Sequence, residues 1–190
     1  MKNLIKVLPV MMLLSSFTFF RGQQSNTYRE IKWENGSETA KKIMKSDFYY
    51  DPLDSWSPFG SDIGNDTYYL YADWNTVHPR GNIKNFIKDQ LIDLGYPAFD
   101  LSLDGSDTNR LHRIVDTMTN KYVDLNMINQ MIISLAFSQL FLSGKIEPEV
   151  QKFAEAAISR EKANLDFWGD QTEQRRNRMD QLLHDLKRVK

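Results

Sequence analysis

The chain contains no cysteine. That absence removes disulfides, thiolate metal centres and a lipid-modified N-terminal cysteine at once. Packing alone must then stabilise the fold, and 190 residues are enough for a real core. Histidine is almost as scarce. His78, His112 and His184 lie on separate segments and form no HExxH pair, so zinc finds no ligand pattern. There is no G-x-S-x-G elbow, and no Ser/His/Asp grouping whose spacing would unite a nucleophile with its base. The most glycine-rich turn, FGSDIG, lacks the lysine and the spacing of a phosphate loop. No cofactor is expected from these residues. Internal repeats and low-complexity tracts are also missing.

Long apolar runs are few. Residues 7–20 form a stretch of fourteen behind Lys2 and Lys6, short of the length needed to cross roughly 30 Å of hydrocarbon. A basic start followed by a short apolar stretch reads as a secretory signal peptide, residues 1–22, with cleavage after Gly22. An uncleaved anchor or a buried N-terminal helix is the competing reading. Removing Lys2, Lys6 and Arg21 takes the basic count from 24 to 21 against 25 acidic residues, a mature charge of −4. An acidic chain is a poor phosphate neutraliser, so nucleic acid is not an expected partner. The expected location is periplasmic or secreted, with no integral membrane segment once the signal is removed.

What remains is mostly helical pattern. The polar stretch QQSNTYREIKWENG, residues 23–36, reads as a linker. Ser37 is placed to cap a helix over 37–46. Pro52 and Pro58 forbid a regular element across 47–61. Helices are expected over 65–76, over 82–94 with Gly95 ending it, and from 106 or 107 to 118. Residues 99–103 could form a short extended piece. Residues 124–143 are apolar on nearly every face, the mark of a helix buried on nearly every face. A further helix spans 148–168. Asp170 and Glu173 resemble a capping box before a last amphipathic helix, 170–190, with the stripe Met179, Leu182, Leu183, Leu186 and Val189. The sum is an all-α multi-helix domain, 37–169, with room for one or two short strands, followed by the C-terminal helix.

The stretch SPFGSDIGND concentrates the candidate chemistry. Counted from Asp62 as an EF-hand loop, positions 3, 6 and 12 all depart from the required ligands and glycine. A looser calcium cage could still draw on Asp51, Asp54, Asp62 and Asp66. As acid/base pairs, Asp62 with Asp66 or Asp73, and Glu155 with Glu161, are the candidates. Against these stands an architectural reading. Pro58, Phe59 and Gly60 shape a turn, Gly64 permits a close backbone approach, Asp66 belongs to the same motif, and Asp62 or Asn65 caps the following helix. Aromatics crowd both sides. Tyr49, Tyr50, Trp56, Tyr68, Tyr71 and Trp74 are candidates for a binding surface, since Tyr and Trp dominate contact hot spots. Phe59, Tyr69 and one of Trp56 or Trp74 are expected to pack inward. The run RRNR, 175–178, reads as the solvated side of the last helix.

Taken together, AKKIMKSDFYYDPLDSWSPFGSDIGNDTYYLYADWNTVHP resembles the start of the YfeS-like family of uncharacterised bacterial proteins. The family's "FYWD … SPFGxDxGxDT … W" pattern is matched by Phe48, Tyr49, Asp51, Ser57 to Gly60, Asp62, Gly64, Asp66, Thr67 and Trp74. Tyr50 stands where a tryptophan is usual. NMINQMIISLAFSQLFLSGKIEPEVQKFAEAAISRE is similar to the family's helical pair, so the resemblance spans 40–161. It departs in the export-like leader, since members are mostly cytoplasmic, and in the last helix, which reads as an addition. The resemblance implies a fold and no catalytic residues.

The functional expectation is an exported, non-catalytic domain that binds a protein partner, of the immunity-protein kind, with a basic partner suited to the mature charge. A carboxylate-dependent hydrolase of envelope glycan using Asp62 and Asp66, and a calcium-stabilised structural domain, are the alternatives.

Overall fold

The centre of the fold is the helix that the sequence makes most apolar. In the computed structural model, which describes residues 29–189, helix α5 (Tyr122–Ser143) is wrapped by α1 (Glu38–Ile43), α2 (Asp62–Val77), α3 (Ile83–Asp93) and α6 (Pro148–Ala163). Helix α4 (Thr108–Val115) and helix α7 (Thr172–Leu186) complete the seven, and the described residues contain no strand. The expected signal peptide and the first part of the expected linker lie outside the described residues. By length and composition α5 could cross a membrane, but 78% of its most apolar window is buried inside the domain, the position of a core helix.

Polar residues of α5 fasten its neighbours. Ser134 Oγ donates to the Gly64 carbonyl of α2 at 2.6 Å, and Gln139 exchanges bonds with Glu147 at the entry to α6. Ser37 accepts from Ala40 N as the expected cap, and its own hydroxyl donates to Leu140 O at 2.7 Å. One serine thus starts α1 and ties it to the end of α5.

The SPFG turn is architectural, as its glycines imply. A Cβ on Gly64 would stand 2.4 Å from the Pro58 carbonyl, and one on Gly60 would stand 2.1 Å from the Asp54 carbonyl. Both neighbours are backbone and cannot swing aside. Helix α2 begins at Asp62 rather than at 65, because Ser61, in extended geometry, accepts from Gly64 N at 3.0 Å. Ser61 is therefore the cap, not Asp62 or Asn65.

Four further expectations are corrected. Residues 99–103 form a turn, since Asp100 accepts from Ser102 N and Leu103 N bonds back to Asp100 O. The helix from Pro148 stops at Ala163, and Leu165–Gln171 continue as a 3-10 segment broken at Gly169, whose φ is +54°. The capping box at Asp170 and Glu173 does not form; Thr172 Oγ1 instead donates to Gly169 O and Leu165 O. Helix α7 is no appendage either. Met179, Leu182, Leu186 and Val189 belong to the same core cluster as α5 and α6, so no boundary falls at 169.

Candidate functional site

A groove of about 460 Å³ opens on the face where the N-terminal arm meets the loop before α2. Three stretches line it: Glu30 to Glu34 of the arm, Asp47 with Tyr50 to Pro52, and Phe59, Asn65 and Tyr69 around the start of α2. The arm is held in place at its root. Tyr68 Oη, buried against Phe59 and Phe141, donates to Arg29 O at 2.5 Å. Arg29 Nη1 reaches Leu142 O at 3.3 Å, and Asn35 Nδ2 donates to Glu30 O at 3.0 Å. Trp33 is 47% exposed, anchored by a bond from Nε1 to Lys41 O at 3.3 Å. Tyr69 is 36% exposed.

Charge in the groove is one-sided. Glu30, Glu34, Asp47 and Asp51 face a single cation, Lys32, whose ammonium already pairs with Glu30 at 2.7 Å. That contact raises the Lys32 pKa and keeps the side chain charged. Tyr50 is half-buried and donates to Met44 O at 2.8 Å. Burial first, and the nearby Glu34 second, push its hydroxyl up to about 12, so it remains a neutral donor at physiological pH.

The predicted surface aromatics divide. Tyr50 lines the groove, but Tyr49, Tyr68, Tyr71 and Trp56 are buried in the core. Their hydroxyls explain how Tyr can sit there: Tyr49 Oη donates to Asp185 at 2.6 Å, and Tyr68 Oη serves the arm. Trp74 is half-buried, stacked on Tyr71 and His78 away from the groove. Phe59 packs inward as expected, and so does Trp56, whereas Tyr69 points outward and lines the groove. Trp33, Glu30 and Glu34 were hidden in a polar stretch read as linker; the lone tryptophan in it was the available signal.

The carboxylate candidates do not converge. Asp62 and Asp66 are exposed on the first turns of α2 and line none of the groove. Asp51 accepts from Leu53 N, while Asp54 accepts from Trp56 N and pairs with Arg178 at 3.0 Å. The four aspartates of the expected calcium cage are thus dispersed, and no group of three metal-ligating side chains gathers among the described residues.

Glu161 is committed elsewhere, in a buried polar cluster. Its Oε1 accepts from Asn129 Nδ2 at 2.7 Å and its Oε2 from Arg175 Nη2 at 2.7 Å. Arg160 Nε donates to Asn129 Oδ1 at 2.8 Å, and its Nη1 bonds the carbonyls of Leu101 and Leu103. Burial lowers the Arg160 pKa to about 10, against the support of Glu161, Asp100 and Asp104. The RRNR run is therefore not a solvated face throughout. Arg175 is interior, and Arg178 lies over Phe48 with its charge on Asp54. These groups clamp α5, α6 and α7 together. Comparison of the chain with protein-family models, with curated proteins and with solved structures gives no match.

Proposed function

We propose that the protein is an exported, non-catalytic binding domain whose groove accepts a basic segment of another protein, in the manner of an immunity protein that covers a toxin. The observation that carries this reading is the groove itself: four carboxylates against one lysine, edged by Trp33, Tyr50 and Tyr69. Carboxylates draw lysine and arginine side chains in, and exposed aromatic faces hold the cation once it arrives. Export belongs to this proposal through the sequence of residues 1–22, and the acidic mature charge adds long-range attraction to the same kind of partner.

The test uses the mature protein as bait in a periplasmic extract beside the variant Glu34→Gln/Asp47→Asn/Asp51→Asn. Retention of basic proteins by the wild type, lost in the variant and at high salt, supports the reading. Equal retention by both baits, or retention indifferent to salt, overturns it. Matching thermal melts of the two baits guard against a folding artefact, since exposed charges contribute little to stability.

A further inference from the structure

Independently of the groove, the buried cluster has unanswered donors. Arg160, Glu161 and Arg175 are all interior, and the two guanidiniums share one buried carboxylate, Arg160 having further support from Asp100 and Asp104. Arg175 is the more exacting of the two. Its side chain is 1% exposed, and its flat faces are covered by Trp168 at 4.6 Å and Trp56 at 5.8 Å. Nη2 is satisfied by Glu161 and by Asn126 at 3.0 Å. Nε and Nη1 are buried and meet no acceptor in the protein. Arg178 and Asp54, on the same side, pair with each other at 3.0 Å.

Beside Arg175 lies a small cavity of about 10 Å³, shared with Ser55, Trp56, Ser57, Gln130 and Met179. That volume holds one occupant of about the size of a water molecule. Gln130 also lines it, and its Nε2 makes a long bond, 3.4 Å, to Ser55 O. Ser57 is not available to donate inward, as its hydroxyl already donates to Tyr49 O. The occupant thus meets a charged guanidinium and a neutral amide.

We propose that this cavity is a binding site for a monatomic anion, chloride in the first instance, held by Arg175 with help from Gln130. A water molecule could accept the same hydrogen bonds, but it would bring no charge to the Arg175 guanidinium, which shares the Glu161 carboxylate with Arg160. The anion answers both. Its role is to complete the joint between α5, α7 and the loop at Ser55–Ser57, so the fold becomes chloride-dependent.

The test compares urea unfolding of the mature protein in sodium chloride and in sodium gluconate at equal ionic strength, gluconate being far too large for the cavity. Binding predicts a saturable rise, with the folding equilibrium constant increased about eleven-fold at ten times the dissociation constant. Bromide should act as chloride does, and Arg175→Gln should abolish the difference. Identical midpoints in the two salts overturn the proposal, as does a chloride effect that persists in the variant. If Arg175→Gln fails to fold, a wild-type crystal grown in bromide decides: an anomalous peak beside Arg175 supports the site, and peaks confined to the surface overturn it.

Discussion

Removing the Glu161 carboxylate should be among the most damaging single changes available in this protein. Glu161 is 4% exposed and Arg175 1%, and the two meet at 2.7 Å. Glu161→Ala withdraws the acceptor from Arg175 Nη2 and from Asn129 Nδ2 together. It also leaves two interior guanidiniums with no buried counter-charge. Breaking a buried pair from one side costs about 3–5 kcal/mol, a fifth or more of the roughly 5–15 kcal/mol that holds a typical domain together. At a urea dependence near 2 kcal/mol per molar, the unfolding midpoint should fall by about 1.5–2.5 M. The control is Asp116→Ala, which breaks the exposed Lys121–Asp116 contact, 61% and 71% accessible, and should cost about 0–1 kcal/mol. Glu161→Gln keeps the shape and removes the charge, so it should fall between the two. The double change Glu161→Leu/Arg175→Met should recover much of the loss, because no buried charge is stranded on α7. If Glu161→Ala matches Asp116→Ala, the cluster is not a clamp and the reasoning fails.

Gly64→Ala should destabilise by about 1–3 kcal/mol, since the new methyl meets the Pro58 carbonyl at 2.4 Å; an unchanged melt would show that the turn can yield. Tyr68→Phe keeps the ring among Phe59 and Phe141 but removes the donor to Arg29 O, so it should cost about 0.5–1.5 kcal/mol. Hydrogen exchange should then quicken at residues 29–35 and not in α5, and equal exchange at 29–35 would refute the tie. Acid should weaken the fold through Asp100, Asp104 and Asp124. Asp100 and Asp104 are lowered chiefly by the Ser102 and Ser106 hydroxyls, while for Asp124 burial pulls upward and is outweighed by bonds from Tyr96 and Asn120. Lowered folded pKa values mean the unfolded chain binds more protons, so stability present above about pH 4 is lost as pH falls through the folded values. Urea midpoints flat from pH 6 down to pH 2 would contradict this.

Helix positions were legible because they follow from a period and from punctuation. Gly144, with φ +77°, ends α5 where the sequence places it, and Pro148 opens α6. Boundaries drifted where side chains competed. Ser61 displaced Asp62 as cap because its oxygen, one residue earlier, reaches Gly64 N, a distance that residue type alone does not reveal. The shortened α6 has a similar origin, since Asn164 turns back to bond Arg160 O at 2.8 Å. The aromatic surface was misjudged for a different reason. Composition cannot separate a tyrosine whose hydroxyl finds water from one whose hydroxyl finds a buried acceptor, and Tyr49 has Asp185, 136 residues away. Arg175 was misread for the same cause: its partner Glu161 lies on another helix, and local charge balance at Glu173 and Asp180 suggested solvent.

A chain without disulfides has to stabilise its irregular segments with side chains, and here the tyrosines of the motif region and the arginines of α6 and α7 do that work from inside. Tyr68 shows the division most directly. Its ring belongs to the core, its hydroxyl grips the arm at Arg29, and its neighbour Tyr69 lines the groove. Phe59 is likewise 3% exposed yet borders the same groove. Consecutive residues on one helix thus face core and groove, so the floor of the groove is as rigid as the core beneath it. Rigid walls reduce the ordering cost that a partner must overcome on binding. The arm is the other wall, and several of the bonds that hold it are at exposed atoms. On the proposed reading, adjustment to a partner falls on residues 29–35, where Trp33, Glu30 and Glu34 reside, and not on the SPFG turn that supports the opposite side.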